Sequence, residues 1–100
     1  MGKGGVDKTQ EEIFEEMAKA LGHTGSLLES LLEELSRLDS KMAGIEEPEE
    51  YNLLVDKFNA TRENALFRKE MLMIHREALG FTKHRFMDKT YPVPAKKTRR

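Results

Sequence analysis

From Phe14 to Met42 the apolar residues fall in steps of three and four: Phe14, Met17, Leu21, then Thr24 as the one polar member, Leu28, Leu31, Leu35, Leu38 and Met42. A stretch with that spacing keeps a single seam on one side of a helix, facing a partner helix. Ile13, Leu27 and Leu32 flank the seam and widen it toward the broader stripe of a bundle. The chain is thus committed to helix-on-helix packing, and the expected class is all-α.

Two features punctuate this seam. Gly22-His23-Thr24-Gly25 places two glycines within one turn, at a cost of about 1 kcal/mol each relative to alanine. Ser26-Leu27-Leu28-Glu29 has the form of a capping box that could restart a helix. The expectation is a kinked or broken first helix, with collinear segments over 7–21 and 26–43. The alternative is that residues 7–21 fold back at the break. Ala43-Gly44-Ile45 then reads as a helix stop with glycine in the C′ position. Pro48 suits the first turn of a new helix, and Glu49 and Glu50 suit its positive end. So short a link makes the helices antiparallel neighbours, a helical hairpin.

The second helix, expected over 48–79, carries two apolar sets. Tyr51, Leu54, Phe58, Ala65, Leu72 and Leu79 form one face, suited to the first helix. Leu53, Ala60, Phe67, Met71, Ile74, Ala78 and Phe81 point nearly the opposite way, and Met71-Leu72-Met73-Ile74 is apolar all round. A fully exposed Phe or Ile forgoes about 1.5–3 kcal/mol, so a further surface is expected to cover this second set. The expected cover is a second copy, giving a homodimeric four-helix bundle with Phe67, Met71, Ile74 and Phe81 at the interface. Another helical protein could take the same place.

Charge supports a chain that pairs with itself or with a copy. The net charge of −1 conceals five Lys/Arg against thirteen Asp/Glu in residues 1–50 and twelve against five in residues 51–100. The chain contains no cysteine, which excludes disulfides and thiolate metal sites. No apolar run reaches membrane-spanning length, and residues 1–6 read as a flexible tail without the apolar core of a secretory signal. A cytoplasmic protein without membrane contact is expected. Asn59-Ala60-Thr61 is formally a glycosylation sequon, but it falls inside a helix and is discounted.

Few residue patterns suggest chemistry. Glu11, Glu12, Glu15 and Glu16 resemble the first half of the magnesium site of the all-α nucleoside-triphosphate pyrophosphohydrolases. Such a site needs a Glu-x-x-Asp on another helix, and no Asp in the chain has Glu three residues before it. A solvated acidic face is the plainer reading. None of His23, His75 and His84 follows a Glu by three, so the bundle di-iron pattern is missing as well. His75 could act as a pH switch at a subunit contact, although a boundary residue hydrogen-bonded to Glu or backbone is the simpler role. Arg62 and Arg68 are expected along the core rim, paired with carboxylates of the first helix.

Residues 82–100 form a basic arm, expected to be partly disordered, with Lys83, Arg85, Lys89, Lys96, Lys97, Arg99 and Arg100 set against the single acid Asp88. Phe81, Phe86 and Tyr91 recur among these cations, and Pro92 and Pro94 impose an extended chain. Such an arm could hold nucleic acid or an acidic partner. It could equally anchor Phe86, Met87 and Tyr91 on the bundle and leave the last residues in solvent. The expected function is that of a non-catalytic, self-associating helical adaptor without a cofactor. The alternatives are a nucleic-acid-binding protein and a metal-dependent phosphohydrolase.

Overall fold

The heptad seam folds as one helix. The computed structural model describes residues 8–100, so the expected tail over 1–6 lies outside the described residues. Helix α1 (Lys8–Met42) runs without interruption through Gly22 and Gly25. Neither the break at 22–25 nor the fold-back of residues 7–21 is present. Burial outweighs local propensity here: Thr24 and Gly25 are buried, and so are Leu28, Leu35, Leu38 and Met42 of the seam beyond them. Gly22 faces open space, with nothing within 4 Å of the position a Cβ would take. Gly22→Ala should therefore raise unfolding free energy by about 0.5–1 kcal/mol, read from the urea midpoint. A destabilised variant would mean the helix is not continuous at this point.

The link to α2 (Pro48–Ala78) is made by local hydrogen bonds. Gly44 N–H donates to the Lys41 carbonyl (3.3 Å) and Ile45 N–H to the Met42 carbonyl (3.1 Å), tightening the last turn of α1 into 3₁₀ form. Gly44 does not adopt the left-handed conformation usual at C′; among the described residues Gly80, with φ of 95°, is the glycine that does. Glu47 caps α2, its carboxylate accepting from the N–H groups of Glu49 (3.1 Å) and Glu50 (2.7 Å), and Pro48 follows in the first turn. At the far end Gly80 N–H donates to the Glu77 carbonyl and Phe81 N–H to the Arg76 carbonyl, the pair of bonds that closes a Schellman motif.

Leu28, Leu35, Leu38 and Met42 from α1 meet Val55, Phe58, Ala65 and Leu72 from α2 in a continuous buried core. Leu31 is half-buried at its edge. At the open end of the hairpin, Thr24 Oγ1 and His75 Nδ1 lie 3.4 Å apart. With Thr24 opposite His75, α2 ends near Leu21 of α1. Residues 8–20 therefore project roughly 20 Å past it at 1.5 Å per residue.

The third layer comes from the C-terminal segment. After Gly80 the chain turns into the short helix α3 (Arg85–Thr90) and continues without regular structure to Arg100. Met87 is buried in the hairpin core, and Tyr91 and Val93 pack against it. The segment expected to be a partly disordered arm lies along the hairpin, held by residues of both long helices. The described residues are otherwise helical, with no strand. No helix among them is long and apolar enough to cross a membrane.

Candidate functional site

Beside its apolar faces α2 carries a polar row. Asn52, Asn59, Arg62, Lys69 and Arg76 follow one another at steps of seven, three, seven and seven. Helical periodicity places such positions along one flank. Their partners on the C-terminal segment run in the reverse order. Asn52 holds Arg100 and Asn59 holds Lys97, in each case by two hydrogen bonds to the backbone. Arg62 Nε donates to the Pro94 carbonyl (2.8 Å), Lys69 Nζ to Asp88 (2.9 Å) and Arg76 Nη2 to the Lys83 carbonyl (3.2 Å). Residues 91–100 thus run antiparallel to α2 as a strap in the groove between the long helices.

The groove matches the strap in charge. Lys97 pairs with Asp39 of α1, and its ammonium lies 5.0 Å from the ring centre of Phe58. Arg99 pairs with Asp56 at 3.5 Å. The Arg100 guanidinium stacks 3.7 Å from the Tyr51 ring centre and donates to the Ile45 carbonyl (3.1 Å). Between strap and α1 lies an open cleft of about 870 Å³, with Leu32, Leu35 and Phe58 among its apolar lining and Glu29, Glu33 and Asp39 among its acidic lining. Nearby, the Arg37 guanidinium on the Glu34 carboxylate (2.7 Å) holds that carboxyl below its ordinary range. Both groups are solvated, so the pair contributes little stability.

At the corner joining α2 to α3, Arg76 lies between two aromatic rings, 4.2 Å from the centre of Phe86 and 4.7 Å from that of Phe81. Higher up, the Tyr91 phenol rests beside Gly25, its oxygen 3.5 Å from the position a Cβ would take, an ordinary contact distance. A glycine within a helix thus marks where the strap's aromatic end rests against α1.

The residues singled out from sequence divide between two surfaces. Phe67, Ile74 and Phe81 are 53%, 50% and 48% exposed, with Met71 half-buried beside them. Together with the exposed Leu53 and Ala60 they form an outer apolar stripe that α1 does not cover. Lys97, Arg99 and Arg100 belong to the groove, whereas Lys83, Arg85, Lys89 and Lys96 form no ion pair among the described residues.

Glu11, Glu12, Glu15 and Glu16 are exposed on the projecting end of α1. No group of three or more His, Cys, Asp and Glu among the described residues is placed to hold a metal ion. His75 meets the Thr24 hydroxyl rather than a carboxylate or backbone group. Arg62 does not reach a carboxylate of α1; its partners are the Pro94 carbonyl and Glu63 of α2 itself, while Arg68 lies over the Phe67 ring.

Asn52 and Asn59 are the functional residues that sequence reading missed. Their one signal was a seven-residue separation, which has no meaning until the chain running past them is known. Replacing Asn59 by alanine should leave two backbone groups of Lys97 without protein partners and cost about 1–2 kcal/mol. Faster hydrogen exchange at the Lys97 amide is the accompanying sign; unchanged protection there would contradict the clamp.

No family model, curated protein or solved structure matches this chain.

Proposed function

We propose that the protein is a non-catalytic helical adaptor that self-associates through the outer stripe of α2. The observation that carries this reading is the stripe itself. Leu53, Ala60, Phe67 and Ile74 recur at every seventh residue, all exposed in the single chain, on a helix whose other apolar face is already taken by α1, and the exposed Phe81 follows just past the helix end. A strict seven-residue repeat keeps facing a partner α-helix when the two coil around each other with a left-handed supercoil, which takes up the small drift per heptad. Ile13 and Phe14, also half-exposed on the projecting end of α1, extend the apolar surface open to a copy. A second copy of the hairpin supplies a helix of matching period, and its acidic α1 complements the charge of the basic segment after Gly80.

Magnitudes indicate how tight this association is. Burying the remaining half of a Phe or Ile gains about 1 kcal/mol, and a two-fold contact buries each such residue twice. Six half-exposed side chains per chain then supply roughly 12 kcal/mol against an association cost of about 4–15 kcal/mol. The expected affinity is micromolar or weaker.

Light scattering over a concentration series tests the reading. The mass should rise from 11.5 kDa toward twice that value. The double variant Phe67→Glu/Ile74→Glu should stay at the single-chain mass with unchanged helix content, since both side chains are half in solvent already. An unmodified chain still at the single-chain mass near about 1 mM would overturn it.

The nucleic-acid reading rests on Lys83, Arg85, Lys89 and Lys96. Its other cations are engaged on the hairpin, and Arg76 takes one face of each of the Phe81 and Phe86 rings. Binding to an oligonucleotide that falls steeply with added salt would favour that reading instead.

A further inference from the structure

The groove holds the strap by its backbone. Asn59 Nδ2 donates to the Lys97 carbonyl (2.9 Å) while its Oδ1 accepts from the Lys97 N–H (2.9 Å). Asn52 repeats the pattern on Arg100, at 3.0 and 2.7 Å. Each amide satisfies both polar groups of one residue, as a neighbouring strand would. Such pairing demands an extended chain but no particular side chain.

The spacing agrees. Seven residues of helix rise about 10.5 Å, and three residues of extended chain span about 10 Å. Two amides one heptad apart on α2 are therefore in register with every third residue of an extended segment.

Side chains add selectivity at those same two positions. The Lys97 ammonium has an acid and a ring face, Asp39 and Phe58. The Arg100 guanidinium has the Tyr51 face and the Ile45 carbonyl at the end of α1. Between them Thr98 is exposed and Arg99 contributes one solvated ion pair.

The strap is also lightly held. Most of residues 92–100 are exposed, and its salt bridges reach into solvent, where each is worth about 0–1 kcal/mol. Its main advantage over a competitor is its tether, which gives an effective concentration in the millimolar range.

We propose that the groove between α1 and α2 is a receptor for extended basic segments of other proteins, with a lysine and an arginine three residues apart, and that residues 92–100 are its tethered competitor. Any extended chain carrying those two cations reproduces the bonds now made by the strap. The strap lowers apparent affinity for an incoming segment by the fraction of time the groove is occupied. This site lies about 100° around α2 from the outer stripe and does not depend on self-association.

The experiment uses the full chain and a fluorescein-labelled peptide with the sequence of residues 91–100, read by fluorescence anisotropy. In the double variant Lys97→Asp/Arg100→Asp the strap meets Asp39 with like charge, loses its cation on the Tyr51 ring and its donor to the Ile45 carbonyl, and is released. That variant should bind the peptide about tenfold or more tightly than the unmodified chain. Adding Asn52→Leu and Asn59→Leu should remove the gain. A peptide of the same composition, with its lysines and arginines moved off three-residue spacing, should bind about tenfold or more weakly. Equal binding of the two peptides would reduce the effect to undirected charge attraction and overturn the proposal. So would a released variant that binds no better than the unmodified chain. If circular dichroism shows that the double variant has lost helix, the single Arg100→Asp variant carries the same comparison.

Discussion

Phe58→Ala should cost the protein about 3–5 kcal/mol of unfolding free energy, a large part of the 5–15 kcal/mol typical of a domain. Phe58 is 1% exposed and shares the core with Leu35, Leu38 and Val55, so its removal leaves a void that rigid helices on both sides cannot close. The melting temperature should fall by roughly 20 °C or more for a chain of this size. The same substitution removes the ring beneath the Lys97 ammonium, so the strap should loosen as well. Phe58→Leu separates the two effects. It keeps most of the volume at a cost of under about 1.5 kcal/mol, yet it abolishes the ring face. Hydrogen exchange at Lys97 should then rise while the hairpin stays intact. A fall of less than about 5 °C for Phe58→Ala would show that the helices do not pack as described.

The second large effect is expected at Met87. It is the residue from beyond the hairpin that enters the buried core, and α3 around it has only six residues. So short a helix has no stability of its own, because nucleation cost exceeds what one turn of hydrogen bonds returns. Met87→Ala should therefore cost about 2–4 kcal/mol and act locally first. Amides of residues 87–91 should lose protection while those of α1 and α2 keep theirs, a sub-global opening rather than full unfolding. Loss of the Met87 anchor should also raise peptide binding in the groove, since the strap's upstream attachment is weakened. A cost below about 0.5 kcal/mol with unchanged exchange would mean that α3 is not docked.

Much of the architecture was legible because it is periodic or local. The step pattern from Leu28 to Met42 is a property of side-chain type and spacing, and it buries as that pattern demands. Pro48 and the acids after it mark the start of α2 by chemistry confined to one turn, although Glu47 proved to be the residue that caps it. The outer stripe of Leu53, Phe67 and Ile74 was readable for the same reason: surplus apolar residues at heptad spacing on a helix already paired once, whereas Phe81 falls past the end of that helix. Val55, rather than the neighbouring Leu54 of the step from Tyr51 to Phe58, is the fully buried residue of that turn, because the helix face shifts by one residue there.

What sequence alone determined is the helical hairpin, its seam and the unmatched apolar face, all of which follow from residues within a few turns of one another. Only the tertiary structure decided that α1 continues through Gly22 and Gly25, that residues 85–100 lie back along the hairpin, and that two asparagines grip their backbone. Each of those outcomes depends on partners far apart in the chain, 38 residues for Asn59 and Lys97 and 48 for Asn52 and Arg100. A glycine's local cost is a fixed quantity, whereas the burial that offsets it exists only once another element has arrived. An asparagine on a helix flank has no preferred partner until an extended segment is laid within reach, so its role belongs to the assembled fold.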